Sequence, residues 1–193
     1  MTNAPGGAAA LTEHLRQLAI TATESADTLG PAIERGAAMV AATVKRGGTL
    51  FFCGNGGSAA DAQHIATEYV VRYRRERRAI AAIALTTDTS LLTAAANDYS
   101  FEQVFARQVE ALCRPGDLLV LHTTSGKSPN LLAAIHVARE KSVATLALSA
   151  KGGGPIAEAA DHCIVVPTDR TDRAQEIQLA IQHAICDMVD DIV

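Results

Sequence analysis

Two hydrophobic rhythms run along the chain. Leu11, Leu15, Leu18 and Ala22 recur at helical spacing, and Ile33, Ala37, Val40, Ala41 and Val44 repeat the pattern on one face. Gly30-Pro31 lies between the two runs. Proline lacks an amide donor and crowds the preceding turn, so two N-terminal helices are predicted within 11–46, the second ending at Gly47-Gly48. Residues 1–10 are Ala, Gly, Pro and polar after the initial Met, and are expected to be a flexible N-terminus. From residue 49 short apolar runs at 49–53, 79–85, 117–122, 143–149 and 163–166 read as strands. Helical patterns fill the intervals at about 59–72, 90–96, 101–112, 130–141 and 156–160, and a long one starts near 174. Strands alternating with helices predict βαβ units and a parallel sheet, so the class is α/β, with one domain over 11–193 and its core at 49–193.

Composition narrows the function. The 193 residues suit one domain, and 48% hydrophobic content excludes disorder. A formal charge of −4 gives no general attraction to nucleic acid, and 4% aromatics leaves little for base stacking. No apolar run approaches a membrane span, and the first ten residues lack the basic and apolar parts of a secretory leader. The four Cys are far apart with no CxxC pair, so a cytoplasmic protein without disulfides is expected. The one basic cluster, Arg72-Tyr73-Arg74-Arg75-Glu76-Arg77-Arg78, reads as a helix end running into a solvated turn.

In parallel sheets ligands bind beyond the carboxyl ends of the strands, and two turns there carry chemistry. Thr123, Thr124, Ser125 and Ser128 place four hydroxyls around Gly126 at a helix start. Hydroxyls, free amides and the helix dipole together suit a phosphate. A Ser128 that merely capped the helix ahead of Pro129 would account for one of the four. Asn55-Gly56-Gly57-Ser58 is a second such turn, and it lacks the GxGxxG spacing of a dinucleotide site.

His64 and Glu68 stand four apart on a predicted helix, about 40° apart in azimuth, where they can share a zinc-class ion or a proton. The last helix offers Gln175, Glu176 and His183. In a straight helix Gln175 and His183 are about 12 Å apart in rise and about 80° in azimuth, so they do not easily grip one ion. His183 lies off the Ile177, Ile181, Ile185, Met188 stripe expected to face the core. His14, His122, His136 and His162 have no patterned partners and read as structural or surface residues.

The runs CGNGGSAADAQHIATEYVVRYRRERR, LTTDTSLLTAAANDYSFEQVFARQVEAL, HTTSGKSPN and DRAQEIQLAIQH resemble the phosphoheptose isomerases, proteins of the sugar-isomerase (SIS) domain family. The resemblance extends from about Leu11 to Val193. It implies a flavodoxin-like three-layer sandwich around a five-stranded parallel sheet, a homotetramer and one Zn2+ per subunit. By the same resemblance the metal ligands are His64, Glu68, Gln175 and His183, and Glu68 and His183 are the catalytic acid/base pair. The substrate, a heptose phosphate, would touch Asn55, Gly56, Gly57, Ser58, Glu68, Asn97 and Asp98 on the first half of the fold. On the second half it would touch Thr123, Thr124, Ser125, Ser128 and Gln175. The family turn commonly reads Ser-Thr-Ser, and Thr123 keeps the hydroxyl while adding a methyl. Two other expectations fit the same fold: a non-catalytic binding protein of the kind that associates with a replication initiator, and an isomerase of another sugar phosphate.

Overall fold

The computed structural model describes residues 7–192. Helix α1 (Gly7–Lys45) precedes five strands: β1 (Leu50–Gly54), β2 (Ala82–Ala84), β3 (Leu118–His122), β4 (Ala144–Ser149) and β5 (His162–Val165). Helix α2 (Gly57–Val70) follows β1, and α3 (Thr89–Asp98) and α4 (Ala106–Leu112) lie between β2 and β3. The later helices are α5 (Pro129–Glu140), α6 (Gly154–Ala159) and α7 (Thr171–Asp190). All strand pairs are parallel, in the order β2-β1-β3-β4-β5. This is the flavodoxin-like order, whose direction of winding reverses between β1 and β3.

Alternation along the strands divides the core. Leu50, Phe52, Leu118, Val120, Leu146, Leu148 and Ile164 face α1, α2 and α7. Phe51, Cys53, Leu119, Leu121 and Ala147 face α3, α4, α5 and α6. The three layers therefore follow from strands that are apolar on both faces. The four cysteines are free, with Cys53, Cys113 and Cys186 buried. Burial pushes the Cys113 and Cys186 thiols up to about 12.

Five expectations change. The break at Gly30-Pro31 is absent, and α1 is one helix of 39 residues with Pro31 inside it. Proline leaves the Asp27 carbonyl without its helical donor, but Asp27, Gly30 and Pro31 are all exposed, where water can serve that carbonyl. Leu18, Leu29, Ala32 and Ile33 pack on the core from both sides of the proline and hold the rod together. Of the residues expected to be flexible, 7–10 open this helix and 1–6 lie outside the described residues. Strand β2 is only three residues, at the sheet edge. The predicted helix 101–112 is a 3₁₀ turn at Phe101–Gln103 followed by α4. On α7, Ile177, Ile181 and Ile185 are buried as expected, but Met188 is 47% exposed and Val189 takes the core position.

Candidate active site

The carboxyl ends of β1 and β3 lie side by side, so the two turns flagged in the sequence meet. They enclose a cavity of about 180 Å³. Hydroxyl-bearing Ser58, Thr123, Thr124, Ser125 and Ser128 line it, and Asn55, His122, Thr171 and Gln175 complete the wall. Ser128 is the N-cap of α5 by position, yet its hydroxyl makes no capping hydrogen bond. The capping explanation of that residue therefore fails, and its oxygen remains available to a ligand.

The loops are braced from below. Asn55 and Asn130 exchange two amide hydrogen bonds of 2.9 and 2.8 Å, joining the β1 turn to α5. The Gly126 amide donates to Thr123 Oγ1 at 3.2 Å and the Lys127 amide to Ser125 Oγ at 3.2 Å. Gly126 adopts φ +66°, and a Cβ there would stand 1.9 Å from the Gly153 carbonyl oxygen, so only glycine fits. Helix α7 contributes Gln178, whose amide donates to the Thr123 carbonyl at 2.7 Å, and Gln182, whose amide lies 3.0 Å from His122 Nε2. His122 is buried, and its Nδ1 has no well-formed partner among the described residues. Burial drives its pKa down to about 4, against an opposing pull from the Ser58 backbone, so the ring is neutral.

Helices α2 and α7 lead from this pocket to a second cluster. His64, Glu68 and His183 each offer a donor atom within 4.8 Å of the others. His64 Nε2 is 3.2 Å from a Glu68 carboxylate oxygen, and the two imidazoles meet edge to face at 5.1 Å. Burial lowers the pKa of His183, the neighbouring His64 lowers it further, and Glu68 opposes both. Two imidazoles and a carboxylate so close together fit a zinc-class ion.

The predicted residues thus divide. His64, Glu68 and His183 come together although α7 is remote from α2 in sequence. Gln175 sits in the regular second turn of α7 and lines the phosphate-sized pocket, against Gly57, where a Cβ would be 2.4 Å from its amide nitrogen. Gly56 supplies the positive-φ corner before α2. Asn97 and Asp98 end α3, exposed and bonded to each other at 2.8 Å, and do not line the cavity. Glu176 pairs with Arg173 instead of turning to His183. His122, Asn130 and Thr171 were missed. Only His122 had a signal, its place directly before the hydroxyl turn.

The basic run is a solvated turn at Arg72, Arg74, Arg75, Glu76 and Arg78, as expected, but Arg77 departs from it. Arg77 and Asp190 form an ion pair of 2.7 Å with side chains only 4% and 1% exposed. Burial raises the Asp190 pKa, but hydrogen bonds from Arg77 and from the Arg74 and Arg75 amides outweigh it and hold the carboxyl below its usual value.

The SIS domain model matches residues 13–150, which places this parallel sheet, with a hydroxyl pocket at its switch point, in the SIS domain class. Within that class the chain belongs to the phosphoheptose isomerase family, whose members are aldose–ketose isomerases. It is 48% identical over 183 residues to the phosphoheptose isomerase of Thiobacillus denitrificans, covering 93% of each chain. The structure of phosphoheptose isomerase GmhA from Neisseria gonorrhoeae superposes with a TM-score of 0.89 at 40% identity, covering 94% of this chain and 97% of that one. A phosphoheptose isomerase from Francisella tularensis gives 0.92 at 34% identity, covering 99% and 100%. Among the described residues no helix is long and apolar enough to cross a membrane.

Proposed function

We propose that the protein interconverts sedoheptulose 7-phosphate and D-glycero-D-manno-heptose 7-phosphate in the cytoplasm, as a homotetramer, opening a route to ADP-heptose for cell-envelope polysaccharide. The observation that carries the reading is the juxtaposition of an uncapped, hydroxyl-lined pocket with the His64, Glu68, His183 cluster. The hydroxyls of Thr123, Thr124, Ser125 and Ser128 hold the phosphate, with Ser58 at the pocket wall. This grip is remote from the reacting carbons, and it orients the chain so that binding energy serves the transition state. Asn55, Gly56 and Gly57 border the sugar.

Ketose-to-aldose isomerisation moves a proton between adjacent carbons through an enediol. Glu68 is the base that removes the carbon-bound proton, because it is the carboxylate of the cluster and has two oxygens to share between tasks. His183 is the second proton carrier, an imidazole that can take up and give back a proton near neutral pH. His64, Glu68 and His183 would hold Zn2+, with Gln175 the fourth donor implied by the family resemblance. When bound, the ion supplies Lewis-acid stabilisation of developing negative charge.

The test is incubation of the purified protein with sedoheptulose 7-phosphate, with and without zinc, following the aldose by NMR. Turnover is expected, and Glu68→Gln and His183→Ala should each lower it about a hundredfold. Wild-type protein that binds the ketose phosphate without converting it would support a non-catalytic binding role instead.

A further inference from the structure

The Arg72–Arg78 run is the sequence motif that the proposed chemistry leaves unused. In the fold it wraps from the end of α2 to the end of α7, and its central aromatic, Tyr73, stacks on His183 with centroids 5.2 Å apart and planes only 12° from parallel. The same imidazole meets His64 edge-on at 5.1 Å. His183 is thus held by two rings at different angles. The Arg74 guanidinium lies 5.5 Å from the Tyr73 ring centre and is itself held at 3.1 Å by Asp187, one helical turn beyond His183.

The main chain around Tyr73 is fixed by one carboxylate. Asp190 Oδ2 accepts the Arg74 and Arg75 amides at 3.0 and 3.2 Å, while Oδ1 accepts Arg77 Nε at 2.7 Å. The rest of the Arg77 fork donates to the Glu68 carbonyl at 2.7 Å and the Tyr69 carbonyl at 2.9 Å. One buried ion pair therefore ties together the loop carrying Tyr73, the backbone of Glu68 and the end of the helix that carries His183. Buried pairs add little net stability relative to apolar residues of the same volume, so their directional bonds are better understood as fixing geometry.

We infer that Tyr73 is a positioning residue that sets the imidazole plane of His183 for metal capture, with Arg77–Asp190 as the anchor that holds Tyr73 there. The inference rests on the metal-site reading above and adds to it residues outside the ligand set. A plane fixed in advance spares the ion the cost of ordering the ring, and loss of such outer partners typically weakens metal binding ten- to a hundredfold.

The experiment is competition for Zn2+ between the full-length protein and a chromophoric chelator, comparing wild type, Tyr73→Phe and Tyr73→Leu. Tyr73→Phe keeps the stacking face and should retain wild-type affinity, while Tyr73→Leu should lose about tenfold or more. In turnover assays Tyr73→Leu should lower kcat with KM for the ketose phosphate unchanged, since the phosphate pocket is built from other elements. If wild type and Tyr73→Leu hold zinc equally well, the inference is wrong while the metal site stands. If wild type itself holds no zinc, the metal reading fails and takes this inference with it. Should Tyr73→Leu not fold, the double variant Arg77→Met/Asp190→Leu removes both buried charges together and strands neither. It should show the same loss through a loosened loop, and unchanged zinc affinity there would overturn the inference on its own.

Discussion

His122 is kept neutral by what surrounds it. Its ordinary pKa is about 6.5 and its folded value is about 4, lowered by burial against the weaker pull of the Ser58 backbone. A histidine depressed in this way favours the folded state fully above its unfolded pKa, and that advantage is lost as pH falls from about 6.5 toward 4, because the unfolded chain takes up the proton first. Between pH 7 and 4.5 this one group should remove about 2 kcal/mol of stability. Urea unfolding of wild type and His122→Phe at both pH values checks it: the variant starts less stable, having lost the bond to Gln182, but should fall less steeply. Equal slopes would place the protonated ring in contact with water. Its place before the hydroxyl turn is the one mark the sequence gives this residue, and its burial is not legible there, because that environment is made by Gln182 and Phe52 from distant elements. His64 and Glu68 were legible for the opposite reason, since four-residue spacing on one helix brings them together before any tertiary contact forms. That His183 completes the cluster depends on how α7 crosses α2, which spacing within α7 does not encode. Tyr73 was hidden in a run whose charge suggested solvent, and only the buried carboxylate of Asp190 shows where that run goes.

Elements were most legible where both sheet faces are buried. The apolar runs at β1, β3 and β4 needed no register argument, because each is short, apolar and bounded by turn residues. The N-terminal helix was misjudged because proline was weighed without knowing its face, and an exposed face tolerates the lost bond. The edge strand β2 was overestimated because apolar residues at 79–85 also serve packing outside the sheet, as buried Ile80 does. The phosphate turn depends on its own local geometry, which gives a prediction. Gly126→Ala would place a non-glycine residue at φ +66° and drive its Cβ into the Gly153 carbonyl. The strain is about 1–3 kcal/mol, and the clash must part the turn from α6. The variant should melt lower and also show at least a tenfold rise in KM for the sugar phosphate. Gly116→Ala is the control, with φ +101° but no atom closer than 3.8 Å, and a position just before β3, at the opposite end of that strand from the pocket. It should lose stability alone. If both variants keep the wild-type KM, the Thr123–Ser128 turn does not hold the phosphate.

At the scale of the whole molecule, two apolar surfaces are left uncovered by the described residues. One runs along the N-terminal half of α1, where Leu11 and Leu15, one turn apart on the same face, are 71% and 66% exposed. The same helix alone lines a shallow groove of about 510 Å³, where Ala19 and Ile20 sit among Thr23, Glu24, Asp27 and Thr28. The other surface surrounds α3 and α4, with Tyr99 at 63%, Phe101 at 62% and Leu112 at 45% exposure. Large apolar side chains clustered in this way on a folded surface mark association sites. A homotetramer of dihedral symmetry needs at least two different self-complementary contacts, and two separate patches on one chain meet that count where a simple dimer would need one. Charge introduced into one patch should therefore split the proposed tetramer into dimers that keep the other contact. Leu11→Glu/Leu15→Glu should give dimers, Phe101→Glu/Leu112→Glu should also give dimers, and the four changes together should give monomers. Light scattering coupled to size-exclusion chromatography reads all three masses directly. A wild-type protein that elutes as a monomer would refute the assembly, and a tetramer that survives either pair of changes would move that contact to another face of the molecule.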